Sequence, residues 1–296
     1  MSLRLEMLQV ARLAPKVLGD STELVRQFLL RQQAPDGGFR NRAGQSDLYY
    51  TVFGLDALIA LQAIPPLERV WEYWRSLGGG EGLDLVHLCC LARVWAALRG
   101  DGSQASPLAP VEILARVEMF RAHDGGYCPR PASESGTAYG TFLALGAYQD
   151  LGTEVREPKR LVRSLQSLQT PDGAWANEAN LPVGSTNATA AVVTVLRNLQ
   201  APVPPRVSDW LLARGHPQGG FLAAPHAPMP DLLSTATALH ALAGLQVSFD
   251  PLKEKCLDFI DSLWTSDGSF YGHWGDDALD CEYTFYALLA LGHLSL

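Results

Sequence analysis

Two kinds of apolar segment alternate along the chain. One kind is amphipathic: residues 22–33 and 158–169 set apolar side chains at helical spacing among polar ones. The other kind, seen at 51–61, 139–148, 235–245 and 284–294, is built of Ala, Leu and Gly with few polar positions on any face. The first pattern predicts helices with one wet face, the second helices that are covered all round. Strands are hard to place, because β-branched alternation is sparse and the Gly/Pro clusters fall between helix-like segments.

A Gly-aromatic punctuation separates the two kinds and recurs along the chain: Asp36-Gly37-Gly38-Phe39, Asp124-Gly125-Gly126-Tyr127, Asp172-Gly173-Ala174-Trp175, Gln218-Gly219-Gly220-Phe221 and Asp267-Gly268-Ser269-Phe270. From Phe39 to Tyr127 is 88 residues, and the later intervals are 48, 46 and 49. The long interval is two periods, and the degenerate run Gly78-Gly79-Gly80-Glu81-Gly82-Leu83 stands where the missing unit belongs. Six helical hairpins follow, each an outer amphipathic helix and an inner apolar one. Closure into a ring is favoured over an open solenoid, whose last helix would need a polar outer face. Residues 285–296 are as apolar as the internal segments, so the first repeat is expected to cover them. The expected fold is all-α: one closed ring of six helical hairpins over residues 1–296.

Composition supports this reading and excludes others. Of 296 residues 47% are apolar, enough for a large core and against disorder. A net charge of −8 with no Lys/Arg cluster argues against nucleic acid as the partner. Neither a transmembrane run nor a secretory signal is visible. Five cysteines without CxxC spacing fit reduced thiols in cytoplasm.

The pattern Gln-x-Pro-Asp-Gly-Gly-Phe, present at 33–39 and, as Gln-Thr-Pro-Asp-Gly-Ala-Trp, at 169–175, resembles the repeat of protein prenyltransferase β subunits and squalene–hopene-type terpene cyclases. The resemblance spans essentially the whole chain and implies an α/α toroid around a central apolar cavity, and an isoprenoid-handling enzyme that binds a prenyl diphosphate there and transfers or rearranges the prenyl group. The same ring also serves polysaccharide lyases and thioester-containing complement domains, and the Gly-Cys-Gly-Glu-Gln thioester motif is absent here.

Alignment of the six units on their punctuation puts a polar residue at the start of each inner helix: Asp47, Asp84, Glu134, Ser185, Asp231 and Asp280. Helix capping explains most of them, Glu134 least well. Two and three residues further on, capping no longer dictates the choice. There units one, two and six are polar, which predicts an asymmetric cluster of Asp47, Tyr49, Tyr50, Asp84, His87, Asp280, Glu282 and Tyr283 at one mouth of the cavity. Phe53, Trp95, Tyr139, Phe142, Phe285 and Tyr286 are candidates for its wall, or else plain core. His240 reads as a core histidine, the Cys89-Cys90 pair as packing, and His273, Asp276 and Asp277 as a solvated loop from which Trp274 can reach the mouth.

The resemblance supplies three chemistries. Zinc ligands of the prenyltransferases correspond to Asp47, Tyr49 and His87, so the thiolate is missing and zinc or magnesium rests on Asp47 and His87. Diphosphate-binding positions correspond to Arg42 and Tyr50, with Arg40 close by, since a guanidinium suits a prenyl diphosphate. The cyclase motif Asp-x-Asp-Asp-Thr corresponds to Asp280-Cys281-Glu282-Tyr283-Thr284, with Glu282 in the place of the protonating acid and Asp280 as its neighbour. The alternatives from other classes are a non-catalytic toroid that binds a lipid or protein, and a lyase acting on a saccharide. A helical partner subunit or self-association is implied by the resemblance alone.

Overall fold

Four of the five Gly-aromatic turns leave a buried backbone N–H at the aromatic residue that the chain satisfies with a threonine one turn into the inner helix. Phe39, Tyr127, Trp175 and Phe221 donate their N–H groups to the hydroxyls of Thr51, Thr141, Thr189 and Thr235 at 2.9 to 3.1 Å. In the last unit Ser269 and Thr284 pair through their hydroxyls at 2.7 Å. All five threonines are fully buried. An unpaired buried donor would cost about 1–3 kcal/mol, so this residue ties turn to helix. Unit two lacks both aromatic and threonine: Leu88 stands at the equivalent position and packs over Gly80.

The computed structural model describes residues 2–99 and 109–296. It begins with α1 (Leu3–Ala11) and the short α2 (Pro15–Leu18). The outer helices are α3 (Ser21–Arg31), α5 (Leu67–Ser76), α7 (Ala109–Glu118), α9 (Pro158–Ser167), α11 (Arg206–Leu212) and α13 (Lys253–Ser262). The inner helices are α4 (Leu48–Ala60), α6 (Leu85–Leu98), α8 (Ala138–Asp150), α10 (Thr186–Asn198), α12 (Leu232–Gly244) and α14 (Cys281–Leu294). Each inner helix packs on the next, and α14 packs on α4, so the six hairpins close into the expected ring. Phe53 and Phe285 meet across that seam with ring centroids 5.8 Å apart.

Two short antiparallel ladders escape the helical reading. β1 (Phe39–Arg40) pairs with β2 (Ser46–Asp47), and β3 (Phe221–Leu222) with β4 (Pro230–Asp231). Their register sets Phe39 opposite Asp47 and Phe221 opposite Asp231, which puts the aromatic residue across from the helix cap. Tyr127 pairs in the same way with Thr137. Glycine is obligatory at Gly37 and Gly219: φ is +97° and +98°, and a Cβ would run into the carbonyls of Arg69 and Lys255 on the next outer helix.

The first helix was not foreseen as a structural part. α1 packs on α14, α4 and α8 and closes the barrel at the C-terminal ends of the inner helices. Leu3, Met7, Leu8 and Ala11 are buried in that role, and Leu3 donates its N–H to the side chain of Gln149 at 2.9 Å. Gly292 lies against the Val10 carbonyl so closely that a side chain there would push α1 off. No helix among the described residues is long and apolar enough to cross a membrane.

Candidate active site at the mouth of the barrel

Because all inner helices run in one direction, their caps share the end of the barrel opposite α1. Asp47, Asp84, Ser185, Asp231 and Asp280 each accept a backbone N–H of their own helix, as predicted. Glu134 does not: Thr137 caps α8, accepting from the Gly140 N–H at 3.0 Å, while Glu134 is exposed beside His123. A constant offset marks the right residue, since the cap follows the aromatic by ten positions at Tyr127, Trp175, Phe221 and Phe270.

Below the caps lies a cavity of about 460 Å³. Tyr49, Phe53, Tyr139, Phe142 and Tyr286 line it, as expected. Trp95 does not: it is buried away from the cavity, with the Arg99 guanidinium 4.6 Å from its ring centroid. Cys89, Cys90 and Arg93 hold the cavity face of α6, and Trp95 lies about 200° round the helix from Arg93. The Cys89-Cys90 pair is therefore wall as well as packing, and burial pushes both thiols up, so they remain neutral. Phe285 is fully buried core.

At the rim, the Tyr49 hydroxyl donates to Glu282 Oε1 at 2.6 Å. Glu282 stands one turn above Tyr286 on α14, and Tyr49 one turn above Phe53 on α4, so the bond spans the seam between the last and first units. Burial pushes the Glu282 carboxyl up to about 7; Tyr49 and Arg42 oppose that rise and Asp280 adds to it. Burial also holds the Tyr49 phenol well above its usual range, so Tyr49 is a donor at all ordinary pH. Tyr49, Phe53 and Tyr286 form a packed aromatic chain: the Phe53 ring meets Tyr49 edge-on at 4.9 Å and Tyr286 at a tilt, 5.4 Å between centroids.

Arg42 sits on the outer side of this group. Its Nε donates to Asp280 at 2.7 Å, and its two Nη atoms donate to the two oxygens of Asp276 at 3.0 and 2.9 Å. It also lies 5.3 Å from the Tyr283 ring centroid. Asp276 is thus no solvated loop residue: its side chain is 6% exposed and Arg42 holds its carboxyl below the usual range, against burial. To grip a diphosphate, Arg42 would have to leave both carboxylates. Arg40 donates to the Arg31 carbonyl at 2.7 Å. Tyr50 stands beside Tyr49 with ring centroids 5.6 Å apart, and burial and the carboxylates of Asp280 and Glu282 raise its phenol to about 12. Trp274 turns outward onto Phe259 and donates to the Ser262 hydroxyl at 2.9 Å, away from the mouth.

His87 lies between two carboxylates, its Nδ1 2.8 Å from Asp84 and its Nε2 3.8 Å from Asp47. Asp47 and His87 do come together, but the hydroxyl of Tyr49, which replaces the thiolate, is given to Glu282, and Asp84 engages the other nitrogen of His87. Two donors and a neutral phenol do not fit the closed tetrahedral site zinc takes. Between Asp276 and Asp280, the place a divalent cation would occupy is filled by the Arg42 guanidinium. No group of three His, Cys, Asp or Glu side chains among the described residues converges on a common point.

The far end of the cavity carries charges that the sequence reading passed over. Asp56, on α4, is buried and paired with Arg4 of α1 at 2.9 Å and Arg93 of α6 at 2.8 Å. Asp150 and His240 line the same end. His240 is the core histidine expected, bonded to His293 at 3.0 Å, but it also faces the cavity. For the others the signal was available: Asp56, Arg93, Asp150 and His293 are, like His240, polar residues inside otherwise apolar helices.

Comparison with known proteins adds a family and a set of relatives in three dimensions. The model of the prenyltransferase alpha-alpha toroid domain matches residues 6–91, 96–200 and 187–295. No curated protein matches the sequence. Among solved structures, the type II terpene cyclase MstE from Scytonema, in complex with geranylgeranyl dihydroxybenzoate, superposes with a TM-score of 0.65 at 16% identity, covering 95% of this chain and 97% of that one. Protein geranylgeranyltransferase-I of Candida albicans, complexed with GGPP, gives 0.57 at 13% identity over 96% and 81%. A polysaccharide lyase gives 0.59 at 14% identity over 95% and 97%.

Proposed function

The chain belongs to the prenyltransferase alpha-alpha toroid domain family, and we propose that it is an isoprenoid-handling enzyme that starts a cyclisation by protonating an alkene of the bound chain from Glu282. One observation carries this reading: Glu282, whose carboxyl burial pushes up to about 7, is held at 2.6 Å by a partly buried tyrosine whose ring forms the wall of an apolar, aromatic cavity. A general acid works best with a pKa near the operating pH. The cavity volume falls in the usual range for small-molecule sites, about 300–1,000 Å³.

The step balances within the chain's own residues. The Glu282 proton passes to the terminal alkene, whose π pair forms the new C–H bond and leaves a tertiary carbocation. Tyr49 holds the carboxylate that remains. The faces of Tyr49, Phe53, Tyr139 and Tyr286 can stabilise the cation by about 0.5–2 kcal/mol per ring, and the scarcity of water in an apolar barrel protects it from capture. The next alkene closes a ring, and loss of a proton ends the sequence, so product and substrate are isomers. Prenyl transfer from a diphosphate fits less well, because it asks Arg42 for a role that Asp276 and Asp280 already occupy. The solved relatives named for geranylgeranyl ligands support the isoprenoid class. α1 packs on α14, α4 and α8 and closes the floor of the cavity from within the chain.

The test is incubation with farnesyl and geranylgeranyl alcohols, diphosphates and phenolic adducts, with products read by mass spectrometry. An isomer of unchanged mass that disappears in Glu282→Gln, while ligand binding is kept, is the expected result. Release of inorganic diphosphate with an acceptor-linked product would replace cyclisation by transfer.

A further inference from the structure

The cavity has a second polar end. Along α8, Tyr139 lines the mouth and Asp150 lines the floor, eleven residues and about 16 Å deeper. Between them the wall is mostly apolar. At the floor, Asp56 takes Arg4 on one oxygen and Arg93 on the other, which completes its coordination. Asp150 is different. Its carboxyl forms no hydrogen bond with any described side chain, and it faces the cavity. Arg93, also on the cavity wall and 16% exposed, gives Nε to Asp56, while its Nη2 is buried without an acceptor among the described residues, so the guanidinium is only partly satisfied. An unmatched acceptor and an unmatched donor thus stand in one buried corner. Buried polar groups without partners cost free energy, so a ligand group that satisfies them gains it back.

The chemistry of that group follows from charge. Two arginines and two aspartates sum to a formal charge of zero, so a diphosphate would enter a neutral, apolar corner with two carboxylates against it. An ammonium would meet Arg4 and Arg93. A hydroxyl can donate to Asp150 and accept from Arg93, and it suits Asp150 in either protonation state, which matters because burial raises that carboxyl to about 6.

We propose that Asp150 and Arg93 form a binding subsite for a hydroxyl at the head of the isoprenoid chain, an alcohol or a phenol, so that the chain lies head down with its terminal alkene at the mouth beside Glu282. This orientation rests on the isoprenoid reading of the cavity and makes the substrate a neutral prenyl alcohol or prenyl phenol rather than a prenyl diphosphate.

Geranylgeraniol and its methyl ether separate the two claims, because the ether keeps the chain and loses the donor. Titration of the full chain by calorimetry, with both probes, should give alcohol binding about tenfold tighter than ether, the value of one hydrogen bond to a charged group. In Asp150→Leu the preference should vanish while the ether binds as before. Asp150→Leu should fold, since Asp150 bonds to no described side chain, and Asp150→Asn, which keeps a polar group, should retain part of the preference. The preference should also survive Glu282→Gln. Equal binding of alcohol and ether to the unmodified chain, or a preference that persists in Asp150→Leu, overturns the floor subsite and leaves the isoprenoid cavity standing. Failure of both probes to bind overturns the two together.

Discussion

Replacement of Tyr49 by phenylalanine tests the acid directly, because it removes one oxygen and leaves the aromatic wall. The Tyr49 hydroxyl is 2.6 Å from Glu282 Oε1 and is the only side-chain donor to that carboxyl among the described residues. A hydrogen bond to a charged group contributes about 1.5–3 kcal/mol, and the same hydroxyl bonded to the neutral acid contributes about 1. The bond therefore favours the ionised form by about 0.5–2 kcal/mol, which at 1.36 kcal/mol per unit is about one pKa unit. Without it, the Glu282 carboxyl should rise from about 7 to about 8. A general acid must be protonated to act, so cyclisation should fall as pH rises through that value. Tyr49→Phe should move the falling limb of the pH–rate profile up by about one unit. Carbon NMR of labelled glutamate reads the same titration without turnover. A limb and a carboxyl resonance that stay in place, or move down, would refute the claim that Tyr49 holds the ionised form.

Further outcomes follow from the same structure. Arg42→Ala strips Asp276 and the nearly buried Asp280 of their shared cation, and should lower the urea midpoint by an amount equal to about 1–3 kcal/mol, less than a fully buried pair because Arg42 is 37% exposed. His240 and His293 are held neutral by burial, at about 4 and about 3. Their folded values lie below the unfolded 6.5, so stability is full above that pH and falls as pH drops below it, by up to about 1.4 kcal/mol per unit per histidine. Urea midpoints between pH 7 and 5 should show this slope, and His293→Leu should flatten it. Thr189→Val leaves the Trp175 N–H without its acceptor and should cost about 1–3 kcal/mol, whereas Leu88→Val, at the same position of the unit that lacks the turn, should show only the loss of a methylene, about 1 kcal/mol.

The hairpin count, the closure of the ring and the capping residues were legible because they rest on periodic features: the Gly-aromatic turn, the apolar inner segment and the polar residue at its start. Thr137 was missed for a local reason, since spacing from the turn locates the cap better than charge does. The site was legible as a cluster but not as a set of partners. Sequence places Arg42 near Tyr50 and Asp47, yet its partners Asp276 and Asp280 arrive from more than 230 residues away. No spacing rule reports a contact across the seam of a closed ring. Trp95 failed because a uniformly apolar composition does not say which face of a helix meets the lumen; the small and polar residues Cys89, Cys90 and Arg93 mark that face instead.

The role of α1 joins these points. A ring of six inner helices is open at both ends, and nothing in the repeat itself closes one of them. α1 supplies the closure and brings Arg4 and Glu6 with it, which meet Asp56 and Arg197. The charges inside the inner helices therefore answer two needs. Asp56 anchors the floor helix, and its removal would leave two arginines unpaired, a loss of about 3–5 kcal/mol. Asp150 forms no hydrogen bond with any described side chain: burial drives its carboxyl toward the neutral form, and the charges of Arg93 and Arg4 oppose that drift. Burial outweighs those two charges, so an ionised aspartate at that position carries a net cost. The chain carries it facing the cavity, where the proposed ligand hydroxyl would turn that cost into binding selectivity.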